Sequence, residues 1–244
     1  MNDKLSETTM KNLYKFLAAG SLLLLCACDE GDILETASID ETASRRIVHL
    51  TARMTGIDQW SSDYTVVLAS FGDTEYATIQ KAVRTDGDVV DMTLSCSQAL
   101  TDFEVCVTNK LRKRVATFAS VSVPAGRDTV QFAAGDLNVG MFSAVQRGVF
   151  NKWCTACHGG NGSAAAELFL TEAVSYDSLV NRNAKKIEGE VLVVPGSSEE
   201  SVLHKVIYGE EDQKGLHHEH KDILVNQPNL LSLVDEWIDA GAKR

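Results

Sequence analysis

Residues 145–160 read V-Q-R-G-V-F-N-K-W-C-T-A-C-H-G-G, and the five residues Cys154-Thr155-Ala156-Cys157-His158 within them organise the whole reading. Cysteines at i and i+3 lie one helical turn apart, so at the end of a helix both sulfurs face the same side. Thiols placed in this way can add to the vinyl groups of a haem. The adjoining imidazole then lies under the ring and can bind the iron. This is the C-x-x-C-H signature of covalent haem attachment, with His158 as the proximal ligand.

A bare C-x-x-C is a weaker signal, because zinc sites and redox dithiols share it. The surroundings narrow the choice. Phe142, Val145, Val149 and Trp153 recur at steps of three and four, which predicts one apolar face of a helix running into the motif. Gly159 and Gly160 then break that helix. A dithiol of the thioredoxin kind sits where a strand gives way to a helix, and no strand pattern leads directly into this one. A zinc finger needs two further ligands about a dozen residues on, whereas the next histidine is His204.

From residue 142 to the end the chain resembles the single-haem class I c-type cytochrome domain, in the variety fused to other modules of bacterial envelope proteins. The resemblance rests on the stretch quoted above, then Y-D-S-L-V-N (176–181), V-V-P-G-S-S-E-E-S-V-L (193–203) and L-V-D-E-W-I-D-A-G-A (233–242), in the family's order. It implies a small all-α domain whose first and last helices pack together, with one haem c in its core held by Cys154, Cys157 and His158. The family usually places a methionine on the far side of the iron, but no methionine follows Met141. The family's ligand lies a similar distance before the tryptophan of the last helix. Counting back from Trp237 lands near His220, in L-H-H-E-H-K (216–221). His220 is therefore the first candidate for the distal ligand and His217 the second. A solvated loop and a separate metal site are the other readings of these histidines.

Two further helices are legible in this half. Ser197 with Glu200 has the form of a capping box, followed by Val202, Leu203, Val206 and Ile207 on one face and by Gly209 as a stop. His204 falls off that face and reads as solvated. The last helix starts near residues 226–228, carries Leu230, Leu233, Val234, Trp237 and Ile238 on its apolar side, and stops at Gly241.

Upstream the period changes. Short β-type runs occur at 47–54, 64–71, 76–83, 88–96, 103–109, 114–123 and 128–133, with turn signals at Asp86-Gly87 and Pro124-Ala125-Gly126. This spacing predicts an all-β immunoglobulin-like sandwich. Cys96 shares a face with Met92 and Leu94, and Cys106 shares one with Glu104 and Thr108. Across a regular hairpin the two would point opposite ways, which argues against a disulfide. His49 reads as packed or solvated, and Trp60 as loop packing.

The N-terminus reads as an export signal. Lys11 and Lys15 precede an apolar run from Phe16 to Leu25, well short of the roughly 20 residues needed to span a bilayer. Leu25-Cys26-Ala27-Cys28 resembles the lipobox of bacterial lipoproteins, which makes Cys28 the lipidated first residue of the mature chain. The expected architecture is therefore two-domain: signal 1–27, acidic tether 28–45, β-sandwich 46–136 and a small all-α cytochrome c-like haem domain 137–244. The helical part is expected to fold without the sandwich.

A net charge of −11 over 244 residues argues against nucleic acid as a partner. It would also repel an anionic membrane surface, so membrane contact is expected through the lipid. Together these features predict an electron carrier of the bacterial cell envelope, anchored more naturally in the outer membrane and serving a redox partner protein. The alternative is a surface binding or scaffold lipoprotein with a structural or sensory haem. A haem enzyme would need catalytic groups in a polar distal pocket.

Changing Cys28→Ser is expected to move the exported protein from the membrane to the soluble envelope fraction. Unchanged membrane association in fractionation would place the anchor elsewhere.

Overall fold

The computed structural model describes residues 45–84, 88–126, 129–160, 162–210 and 220–244. The expected export signal, the lipobox-like stretch with Cys28, nearly all of the expected tether, and His217 lie outside the described residues.

Strand β1 (Arg45–Thr55) alternates buried Val48 and Leu50 with outward Ile47 and half-exposed His49, the period-two pattern of a strand with one wet face. It pairs antiparallel with β4 (Val89–Ser97) and parallel with β7 (Thr129–Asn138). The register with β7 slips between Thr51 and Ala52, leaving Ala134 unpaired. Gly135 takes the positive φ (70°) that this bulge needs. The second sheet has the order β3 (Ile79–Ala82), β2 (Tyr64–Ser70), β5 (Asp102–Asn109), β6 (Arg114–Ser122), all antiparallel. Val48, Leu50, Val90 and Phe132 of the first sheet share a core with Val66, Leu68, Phe103 and Val105 of the second.

The sandwich is not immunoglobulin-like. That fold puts its first, second, fourth and fifth strands in one sheet. Here β1 has β4 and β7 as neighbours, while β2 lies in the other sheet. The chain leaves β1 at Gly56 (φ 83°), where a Cβ would come within 2.7 Å of the Gly140 backbone, and the 3-10 turn Ile57–Gln59 carries it across. Strand β2 is buried on both faces. Val67 and Ala69 form a second cluster with Phe71, Ala77 and Cys106, on the side away from Val66 and Leu68. Cys96 belongs to the first cluster and Cys106 to the second, and both thiols are free.

The expected all-α domain is also absent as a separate body. Residues Ser44–Arg244 form one compact unit, and a single core cluster runs from Val48 and Phe103 through Phe142 and Val149 to Trp237. Helix α1 (Met141–Val145) follows β7 almost at once and continues through a π-helical stretch, Gln146–Cys154, into α2 (Thr155–His158). Gly148 sits where this segment packs between a strand and the last helix. A Cβ there would lie 3.8 Å from Val115 O and 3.6 Å from Leu230 Cδ2, on a strand and on the last helix respectively. Short helices α3 (Ser175–Leu179) and α4 (Val202–Tyr208) lead to α5 (Pro228–Asp239). Among the described residues no helix is long and apolar enough to cross a membrane.

Directional bonds fasten the helical half to the strands. Trp60 Nε1 donates to Val139 O (2.7 Å), Met141 N to Gln59 Oε1 (3.1 Å), Arg147 Nη1 to Phe118 O (3.0 Å) and Tyr64 OH to Glu236 Oε1 (2.8 Å). Helix α5 buries Leu230, Leu233, Val234, Trp237 and Ile238, the face its sequence predicts, with Pro228 in its first turn. Trp237 meets Phe142 with ring centres 5.1 Å apart. Helix α4 has Ser201 as its N-cap, not Ser197, and ends at left-handed Gly209. The capping box does not form. Ser198 instead bonds Asp239 through its N–H (2.8 Å) and its hydroxyl (3.2 Å), which pins residues 196–198 to the end of α5.

Trp237→Ala is expected to cost about 3–5 kcal/mol, the range for a buried large aromatic residue. Strand and helix circular-dichroism signals should be lost together at one lowered midpoint. Two separate midpoints would contradict a shared core.

Candidate functional site

The motif emerges at the C-terminal end of the long helical segment, where residues 154–158 leave the core. The π-helical stretch decides how they leave it. Its i→i+5 bonding makes wider turns than an α-helix, so the apolar face predicted through Phe142, Val145, Val149 and Trp153 holds only to Val149. Trp153 rotates outward and is 41% exposed. Cys154 remains half-buried, whereas Cys157 is exposed. Burial pushes the Cys154 thiol up to about 12, and the neighbouring Cys157 adds to the effect. Both thiols are free.

His158 is held in one orientation. Its Nδ1 lies 3.0 Å from Ala165 O and 3.3 Å from Leu168 O. Carbonyls only accept, so Nδ1 carries the proton and Nε2 is left as the nitrogen able to bind a metal. A metal-binding histidine commonly has its second nitrogen fixed in this way. Between the two acceptors the chain makes an unusual turn: Ala166 and Glu167 both have positive φ, 55° and 56°. Two consecutive non-glycine residues in the left-handed region are strained, and such strain persists where the surroundings over-determine it. Leu170 N closes the loop by donating to His158 O (2.7 Å).

The second imidazole arrives from a distant part of the chain. His220 opens the 3-10 turn His220–Asp222, and Ile223 N donates back to its carbonyl (3.0 Å). Leu224 is buried beyond that turn. Lys221 lies against Gly209, where a Cβ would come within 2.8 Å of Lys221 Cδ. The rings of His158 and His220 lie 6.2 Å apart, centre to centre, tilted by 36°. Two imidazoles sharing one metal ion have centres about 6 Å apart, from about 2 Å per metal–nitrogen bond and about 1 Å from each nitrogen to its ring centre. The pair fits that separation.

Among the described residues no three His, Cys, Asp or Glu side chains converge to hold a metal ion by themselves. A zinc ion bound by protein alone wants such a set. A haem iron takes its equatorial nitrogens from the porphyrin and asks the protein for axial ligands only. Two free thiols, a tautomer-fixed imidazole and a second imidazole 6.2 Å away, centre to centre, are the group types such a cofactor would use.

His204 is not solvated. It is buried, with Nδ1 2.8 Å from Asp235 Oδ1 and its ring stacked on Tyr208 at 4.3 Å, while Tyr208 OH donates to Asp235 Oδ2 (2.7 Å). It clasps α4 to α5 and lies apart from the motif's histidine pair. His49 is bridged to Asp91 (2.8 Å) and Gln131 (3.0 Å) across the first sheet. The open hollow of about 360 Å³ bounded by Thr51, Arg53, Val89 and Asp136 belongs to that sheet and not to the motif. The Ala165 and Leu168 carbonyls were invisible in the sequence, because backbone acceptors carry no side-chain signature.

Alkylation with iodoacetamide at about pH 8 should modify Cys157 faster than Cys154 by about tenfold or more in haem-free protein, since the thiolate is the nucleophile and Cys154 is held as the thiol. Peptide mass spectrometry over time reads this. Equal rates would contradict the burial of Cys154.

No protein-family model matches this chain and no curated protein is significantly similar to it.

Proposed function

We propose that the chain is a lipid-anchored c-type cytochrome of the bacterial cell envelope, carrying electrons through one covalently attached haem. The designation rests on the mode of attachment, not on the cytochrome c fold. Cys154 and Cys157 would form the thioether bonds and His158 the proximal bond. His220 would bind the opposite side, with His217 the second candidate. The observation that carries the reading is the fixed His158 ring with the His220 ring 6.2 Å away. Haem bound there would supply a one-electron couple at its iron.

The chain's own contributions follow from its geometry. The Ala165 and Leu168 carbonyls hold the Nδ1 proton, which makes Nε2 a better donor. A thioether ligand is not at hand: Met54, Met92 and Met141, the methionines among the described residues, are all packed into the core. Imidazole on both faces gives a lower potential than imidazole with thioether. The exposed Cys157 and Trp153 put one edge of the site at the surface, where a redox partner protein can approach. Cys28 would supply the membrane anchor.

Protein exported together with a haem-attachment system should gain the mass of one haem and keep it in denaturant. His220→Ala should convert low-spin oxidised iron to high-spin, unless His217 takes its place, in which case the double alanine variant should do so. Complete loss of colour in acid-acetone, with both thiols free, would refute the attachment.

A further inference from the structure

One buried carboxamide has no part in the chemistry above. Gln146 opens the π-helical stretch and is 2% exposed. Its Nε2 donates to Asn151 Oδ1 (2.7 Å) and to Leu170 O (2.9 Å), and its Oε1 accepts from Ser175 Oγ. One side chain thus joins the motif helix, the end of the loop after His158 and the first residue of α3. The bond to Asn151 spans i→i+5, the spacing of the π-helix itself. On an α-helix those positions are not neighbours, because i+3 and i+4 are, so the pair reinforces the wide turn that precedes Cys154. A buried amide with both ends engaged is costly to replace, since each abandoned partner loses its bond without gaining water.

We infer that Gln146 is a positioning residue for His158, acting through Leu170. Leu170 is held on both sides: its N–H donates to His158 O (2.7 Å) and its carbonyl accepts from Gln146 (2.9 Å). Two residues earlier lies Leu168, whose carbonyl joins that of Ala165 in accepting from His158 Nδ1. The residues between those acceptors are the left-handed Ala166 and Glu167, which would relax if the loop's far end were free. Gln146 therefore supplies the restraint that keeps both carbonyls on Nδ1 and so fixes the histidine's tautomer. The consequence for iron rests on the haem reading, but the positioning itself does not.

The test is made on the full chain produced without haem. Ring ¹⁵N shifts of His158 give its tautomer ratio. In the wild type the Nδ1–H form should dominate. Gln146→Met removes the restraint and should move the ratio toward the Nε2–H form by about tenfold, the effect of losing a hydrogen bond with its restraint. Ser175→Ala removes a bond from the same amide without touching Leu170, and should leave the ratio within about twofold of wild type. An unchanged ratio in Gln146→Met, or an equal shift in Ser175→Ala, would overturn the inference. If Gln146→Met does not give a folded amide spectrum, Gln146→Glu keeps the Ser175 acceptor and the side-chain shape, and the same shift is required of it. A failure of haem attachment would leave this result untouched, so the two claims fail separately.

Discussion

The burial of one helical segment, residues 141–150, against both the strands and the last helix is the constraint on which the C-terminal half depends. Gly148 lies between the two, where a Cβ would be within ordinary contact range of Val115 O on one side and Leu230 Cδ2 on the other. Phe142 then packs edge-on against Phe150 and Tyr176 and meets Trp237 at 5.1 Å. Aromatic pairs of this kind add about 0.5–1.5 kcal/mol each beyond their area. Because the segment is gripped on two sides, its free end has a fixed direction. That end is the C-x-x-C-H motif.

Strain and bonding around His158 can be weighed against each other. Two left-handed residues cost about 1–3 kcal/mol each. The two Nδ1 contacts and the Leu170–His158 bond return about 1 kcal/mol apiece, which falls in the lower part of the range for the two residues together. The balance comes from the fully engaged Gln146 amide and from Leu170, which is 2% exposed. A loop that needs burial and a buried amide to hold a strained turn is over-determined, and its product is a histidine with one free nitrogen. The second ring is positioned by independent means, through the 3-10 turn at His220 and the seat of Lys221 on Gly209.

The positions of the strands were legible, because alternation such as buried Val48 and Leu50 against outward Ile47 marks them locally, although the run 76–83 shrinks to Ile79–Ala82 and the run 128–133 extends to Asn138. Their partners were not. Strand β2 joins the sheet where it pairs with β3 and β5, and the pairing with β5 is between residues far apart in sequence. The helices α1 and α5 were legible through their apolar stripes, yet their assignment to an independent all-α domain failed, since a stripe says that a face is buried and not what buries it. The face through Trp153 failed for a different reason: π-helical bonding shifts the register after Gln146. Gln146 itself left a trace, a polar residue inside the stripe made by Phe142, Val145 and Val149. His204 was misread because its partners, Asp235 and Tyr208, are polar. Burial by a hydrogen-bonded cluster leaves no apolar signature. His220 was singled out from the family resemblance by counting back from Trp237, and its ring lies 6.2 Å from that of His158.

The proposed function requires that His158 and His220 bind one haem iron. The most direct measurement is the absorption spectrum of the exported, haem-loaded protein, oxidised and reduced, with and without carbon monoxide. Two strong imidazole ligands leave no open position. The spectrum should therefore be low-spin in both states, lack the sulfur-to-iron band of a methionine ligand, and stay unchanged on mixing with carbon monoxide. A high-spin oxidised spectrum, or immediate carbon monoxide binding by the reduced protein, would contradict the account.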